Sequence, residues 1–385
     1  MIVGVPTETA ADEARVALIP PVATKLVNRG LEVVVAAGAG HGSDWTDDEF
    51  RDVGCDVVDE RATVFDRADV VLQVRALGAN ADAPIDPYRE GQIVIGLLGP
   101  YALEDTDREV LVERRVSAFA LERIPRTGRA QRMDVLSSMA SIGGYKATVL
   151  AANALPELFP MQMTAAGTIR PAEVFVVGAG VAGLQAIATA KRLGARVRAY
   201  DIRPEVKEEV ESLGADFVEL DLDVEAAEDQ AGYARAQDEA FYRRQREMMA
   251  NAVGDADVVI TAAAVPGRPA PTLVTTEMIE AMAAGSVVVD LGAESGGNCE
   301  PTQPGETVEH ADVTIFGPTN LPSTVSHTAS QLFANNAANF LEHLLDDGEV
   351  VIDTADDIVD ATLLTHDGTV RAPAEGTTGG TPEAG

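Results

Sequence analysis

Residues 173–201 read EVFVVGAGVAGLQAIATAKRLGARVRAYD, and this stretch decides the fold. Val174 to Val177 form a short apolar run of the kind a buried parallel strand needs, and Gly178-Ala-Gly180-Val-Ala-Gly183 follows without a gap. In a G-x-G-x-x-G turn between strand and helix, Gly178 permits the tight turn and Gly180 lets the backbone approach a pyrophosphate. Gly183 lets the helix pack closely on the strand. Val181 and Ala182 then open a helix whose first-turn N–H groups favour an anion. The helix is predicted over 181–193, capped by Gly194, and a second strand over 196–200 closes on Asp201. A carboxylate about twenty residues beyond the glycines is where a ribose 2′-hydroxyl is held. Asp201, with Ile202 and Arg203 beside it, therefore argues for NAD(H), because a 2′-phosphate would be repelled; Arg203 weakens that preference without reversing it.

The remaining composition narrows the class. In 385 residues, 46% are hydrophobic and 24% charged, which suits a soluble globular chain of two domains. The charge balance is strongly acidic, with 62 Asp and Glu against 29 Lys and Arg and a formal net charge of -33. Such a surface repels nucleic acid and anionic lipid, so neither is expected as a partner. The acids are spread along the chain, which points to a salt-adapted surface and a halophilic source. Cys55 and Cys299 stand alone, with no C-x-x-C and no His at metal spacing, so neither a disulfide framework nor a metal site is expected, and an intracellular setting fits. The opening MIVGVPTE reads as a first strand and not as a targeting segment. No run reaches the ~18 apolar residues of a membrane span, so direct membrane insertion is not expected.

Strands are predicted over 2–5, 31–36, 69–74, 92–98 and 117–121, with helices over 20–28, 47–53 and 104–113 between them. Further strands are expected over 216–220, 257–262, 286–291 and 313–316, and a long helix over 324–345. This alternation gives an α/β fold of mostly parallel, doubly wound sheets in two Rossmann-like domains. We expect one domain from residues 1–136 plus 325–370 and another, binding NAD(H), from 137–324, with the cofactor in the cleft between them. The Gly, Thr, Pro and Ala tail, 371–385, is expected to be disordered.

Residues 126–138 read RTGRAQRMDVLSS. On a continuous helical register Gln131, Asp134 and Ser138 fall at i, i+3 and i+7, with Ser137 beside them, so they could face one site. By composition alone they read better as a solvated first turn, Asp134 favouring the helix N-terminus. Four other segments stand out: G-V-P-x-E at 4–8, E-x-R-V-A-x-x-P at 13–20, Gly232-Tyr233-Ala234 after the acidic 221–230, and Gly292 to Cys299, GAESGGNC.

Together with the glycine turn, these segments resemble the family that contains alanine dehydrogenase and the NAD(H)-binding component of proton-translocating nicotinamide nucleotide transhydrogenase, over residues 1 to about 370. The resemblance implies that Arg126, Gln131, Asp134 and Ser137 surround the nicotinamide ring. It also implies that Gly232 and Tyr233 lie on a loop closing over bound NAD(H), and that Gln245 and the backbone near Ala264 border the cofactor.

Two chemistries share that scaffold. The alanine dehydrogenases of the family use a Lys in the segment matching 72–75 and a His in the segment matching 96–100; this sequence has Arg75 and Gly99 there. The resemblance therefore implies a transhydrogenase role. NADH is held on this chain, NADP(H) on a partner subunit, and a membrane-spanning subunit couples the exchange to proton movement. It further implies a homodimer, cytoplasmic and held peripherally at the inner face of the cell membrane by its partners. The alternatives are an alanine dehydrogenase-like amino-acid oxidoreductase and a non-catalytic NAD(H)-binding module.

Overall fold

The computed structural model describes residues 1–219, 239–263 and 269–371. The chain forms two compact units, Met1–Met139 with the segment from Ser323 onward, and Ala140–Pro322. Both are α/β with mostly parallel sheets, as the alternation predicts.

In the second unit seven strands lie in the order Asp216–Phe217, Arg196–Tyr200, Glu173–Val177, Val258–Thr261, Val287–Asp290, Val313–Phe316, Thr307–His310. Every pairing is parallel except that of the last two. Strand alternation sends side chains to two buried faces. Val174 and Val176 pack with Ala186, Ile187 and Ala190 of the helix Val181–Arg192 and with Ala147 and Ala151. Phe175 and Val177 pack on the other face with Met249, Val253 and Ile279. The strand order reverses between Glu173–Val177 and Val258–Thr261, so a crevice opens at their carboxyl ends, where ligands sit in such sheets.

The first unit has eight strands in the order Thr369–Val370, Leu363–His366, Ser117–Ala120, Ile93–Leu97, Val70–Arg75, Ile2–Val5, Glu32–Ala36, Asp56–Val58. The short strand Asp56–Val58 and the two antiparallel C-terminal strands are not evident in the sequence pattern. A second unforeseen feature, in the other unit, is the hairpin Gln162–Thr164 with Gly167–Ile169, exposed along both strands.

The first unit also has a switch point, between Ile2–Val5 and Val70–Arg75, and the Glu8 side chain reaches across it. The Glu8 carboxylate accepts the Val74 and Arg75 N–H groups at 2.6 and 3.1 Å. Nearby, Arg15 donates to both oxygens of Glu13 at 2.7 and 2.5 Å, an ion pair between neighbours in the sequence. Burial pushes the Glu8 carboxyl up to about 8, against the two N–H groups and Arg15, which pull it down. A raised pKa means the folded chain holds a proton that the unfolded chain releases near the ordinary 4.5. Glu8 therefore stabilises the fold most at acid pH, and that contribution is lost as pH rises to about 8. The Glu8→Gln variant cannot titrate there. In urea melts across that window the parent should lose stability relative to it, with the difference constant above the window; a constant difference throughout would refute the assignment.

Candidate functional site

The glycine turn is built as its spacing predicts. Gly178 has φ +96°, and a Cβ there would stand 2.9 Å from the carbonyl of Ala262, at the end of the neighbouring strand. A Cβ on Gly183 would stand 1.8 Å from the Gly178 oxygen, and one on Gly144 would stand 2.0 Å from the Ala182 oxygen. The turn is thus clamped from two sides by backbone that only glycine admits. Gly180 is the N-cap of the helix Val181–Arg192, which has no side-chain cap and no acidic residue in its first turn. In a chain with 62 acidic residues, this helix start carries no capping side chain and no first-turn acid among the described residues, which leaves its N–H groups and positive dipole end open to an anion. That arrangement suits a phosphate.

Asp201 ends the adjacent strand, 8% exposed. Its Oδ2 accepts the Ala179 N–H at 2.7 Å, which ties the acid to the turn itself. Arg203 donates to the same carboxylate from its backbone N–H and from Nε at 2.9 and 3.0 Å, and from Nη2 at 3.1 Å. Gln245 is buried behind this strand and donates to the Tyr200 hydroxyl at 2.9 Å. Val181, Ala182 and Ile202 are half-buried around the turn. Gly232, Tyr233 and Ala264 lie outside the described residues.

A third feature of the crevice was not singled out from sequence. Asp290, fully buried at the end of its strand, accepts five hydrogen bonds, from Thr261 Oγ1, Gly292 N, Asn298 N, Cys299 N and Thr302 Oγ1, all at 2.8–2.9 Å. Asn298 in turn accepts the Ala263 N–H and donates to the Ala263 and Pro271 carbonyls. Together they fasten the loop that follows one strand to the loop that follows its neighbour. The signal available in the sequence was only the position of GAESGGNC at a strand end.

The helix that follows the polar group is present as Val135–Ala154, but the helical register expected to align Gln131 with Asp134 and Ser138 is broken. Gln131–Met133 is a separate 3-10 turn, and Asp134 is extended, with ψ 90°. The reason is capping: the Asp134 carboxylate accepts the Ser137 N–H at 2.8 Å and its hydroxyl at 2.5 Å, which starts the helix Val135–Ala154 afresh. Gln131 is therefore off the register of Ser138, exposed on a turn whose Arg132 carbonyl accepts from Asn336 and Asn339. Arg126 is exposed nearby in sequence. Arg129, in the same polar group, is paired with Asp356 and Asp357 at the start of the helix Asp357–Thr362.

The positions that would distinguish the two chemistries are also plain. Gly99 has φ +57°, and a Cβ there would stand 2.3 Å from the backbone of Gly78 and Ala79, so no side chain fits. The histidines have other partners. His327 stacks on Trp45, His343 meets Asp356, His366 meets Ser117, His310 meets Glu280, and the exposed His41 lies 3.8 Å from Asp47.

Family models for the N-terminal and C-terminal domains of alanine dehydrogenase/PNT match residues 4–143 and 147–373. The chain belongs to the alanine dehydrogenase/PNT family. It is 43% identical over 382 residues to an NAD(P) transhydrogenase subunit alpha chain of Rhodospirillum rubrum, covering 97% of this chain and 98% of that one. Alanine dehydrogenase of Mycobacterium tuberculosis is 29% identical over 390 residues, 99% of this chain and 98% of that one. Among solved structures, the transhydrogenase from Sinorhizobium meliloti superimposes with a TM-score of 0.84 at 42% identity, covering 96% of this chain and all of that one. Within this family of nicotinamide-nucleotide oxidoreductases, the chain stands nearer to the transhydrogenase alpha subunits than to the alanine dehydrogenases. Among the described residues no helix is long and apolar enough to cross a membrane.

Proposed function

We propose that this chain is the NAD(H)-binding subunit of a proton-translocating NAD(P)+ transhydrogenase, passing hydride between NADH and NADP+ held on a partner subunit. The observation that carries the reading is the closed backbone at Gly99, together with Arg75. Oxidising an amino acid to an oxo acid requires groups that move protons and hold a carboxylate. Hydride exchange between two nicotinamide rings moves no proton at the reacting carbons, and so needs proximity and orientation only. The wholesale similarity to transhydrogenase alpha subunits supports the same choice.

In this reading the N–H groups at Gly180 to Gly183 hold the pyrophosphate and Asp201 holds the adenosine ribose. The uncapped helix start and the space above Gly180, where among the described residues an added Cβ would meet only Arg203 Nη2 at 4.0 Å, fit such a group. Bound NADH supplies the hydride. Gln131, Arg126, Asp134 and Ser137 orient the dihydronicotinamide, with Asp134 and Ser137 already locked by their mutual hydrogen bonds. Gly232, Tyr233 and Ala264, which lie outside the described residues, and Gln245 are the other cofactor-binding residues of this reading. The partners are an NADP(H)-binding subunit and a membrane-spanning subunit, and the chain works as a homodimer in the cytoplasm at the inner face of the membrane.

Gln131 provides the test. A Gln131→Asn variant keeps the amide and withdraws it by one methylene. Stopped-flow transfer from NADH to an NADP+ analogue, with the partner subunit present, should slow by about tenfold or more while the Kd for NADH changes little. Equal effects on rate and affinity would remove Gln131 from the orienting role.

A further inference from the structure

Asp201 is saturated. A carboxylate offers about four lone-pair positions, and here two go to backbone N–H groups, of Ala179 and Arg203, while the other two go to Arg203 Nε and Nη2. The pair is well shielded, with side chains 12% and 6% exposed. Arg203 Nη2 also reaches to 4.0 Å from where a Cβ on Gly180 would stand, so the guanidinium overhangs the turn assigned to the pyrophosphate.

We propose that Arg203 sets how strictly this site discriminates NAD(H) from NADP(H), by neutralising Asp201 and competing with ribose hydroxyls for its oxygens. The inference rests on the reading of the glycine turn as an NAD(H) site. A ribose diol reaches Asp201 only by displacing the two guanidinium bonds, so Arg203 weakens the ribose contact of NADH, whereas any pull of the guanidinium on the pyrophosphate is common to NADH and NADPH and cancels in their ratio. A 2′-phosphate meets a carboxylate whose charge is cancelled, close to the guanidinium charge that cancels it. Arg203 therefore strengthens NADPH binding. The two effects act on the Kd ratio in the same direction, and a bare Asp201 would be the more selective site.

The experiment is a fluorescence titration of the full chain with NADH and with NADPH, in high KCl, for the parent, Arg203→Ala and Arg203→Lys. The ratio Kd(NADPH)/Kd(NADH) should be finite in the parent and rise by about tenfold or more in Arg203→Ala, the weight of one charge-assisted hydrogen bond. Arg203→Lys, which keeps the charge and loses the fork, should fall between. If Arg203→Ala does not fold, Arg203→Gln carries the same expectation. An unmoved ratio overturns the proposal, as does NADPH binding too weak to detect in the parent, because the paired carboxylate would then still exclude the phosphate. Those outcomes leave NADH binding intact; a parent that binds no NADH would instead overturn the reading of the turn, and the role of Arg203 with it.

Discussion

Asp290→Ala is expected to destabilise the protein by about 4 kcal/mol, because it leaves buried donors without an acceptor at roughly 1–3 kcal/mol each, partly relieved by relaxation. The five donors come from a strand residue, Thr261, and from a loop spanning Gly292 to Thr302. Water has no ready access, since Asp290 is fully buried. The glycines of this loop are shaped to the same carboxylate: Gly297, at φ +87°, would place a Cβ 3.0 Å from Asp290 Oδ2, and Gly292 would place one 3.2 Å from Oδ1. Urea unfolding followed by far-UV circular dichroism measures the loss. A change below about 1 kcal/mol would show that the loop holds its shape by other means.

Gly183→Val is expected to lower NADH affinity by about 100-fold or more. Its Cβ position lies 1.8 Å from the Gly178 oxygen, well inside any real contact, so either the turn opens or the helix moves away from the strand. Both displace the first-turn N–H groups from the place where the pyrophosphate would lie. Gly143→Ala is the control, because a Cβ there meets none of the described residues within 4 Å and should leave affinity unchanged. Titration with NADH, together with circular dichroism to confirm that both variants fold, reads the outcome. Retained affinity in a folded Gly183→Val protein would place the dinucleotide elsewhere.

Local chemistry explains what could be read in advance. The run from Val174 to Asp201 was legible because strand, glycine turn, helix and acid are neighbours in sequence, and each restricts the backbone within a few residues. The role of Asp290 was not legible, because its partners are loop N–H groups and hydroxyls from as far as Thr261, brought together only by the sheet. Gln131 shows a different failure. Its spacing to Ser138 fits one helix, but Asp134 is a strong N-cap whose carboxylate closes on Ser137, and that local competition breaks the register. The Gln162–Ile169 hairpin carries no buried face, so no alternation marked it. The family resemblance supplied the roles of Gln131 and Tyr233, which no spacing argument reaches.

The central claim is that hydride leaves this chain for a nicotinamide held by another polypeptide. Stopped-flow transfer from NADH to an NADP+ analogue, in high KCl, with and without an NADP(H)-binding partner subunit and with L-alanine plus NAD+ as a parallel reaction, tests it directly. Rapid transfer that requires the partner, with no turnover of alanine, is the predicted result. Turnover of alanine or another amino acid, with no transfer to the partner, would contradict the account and mean that an acid and base act despite the closed backbone at Gly99.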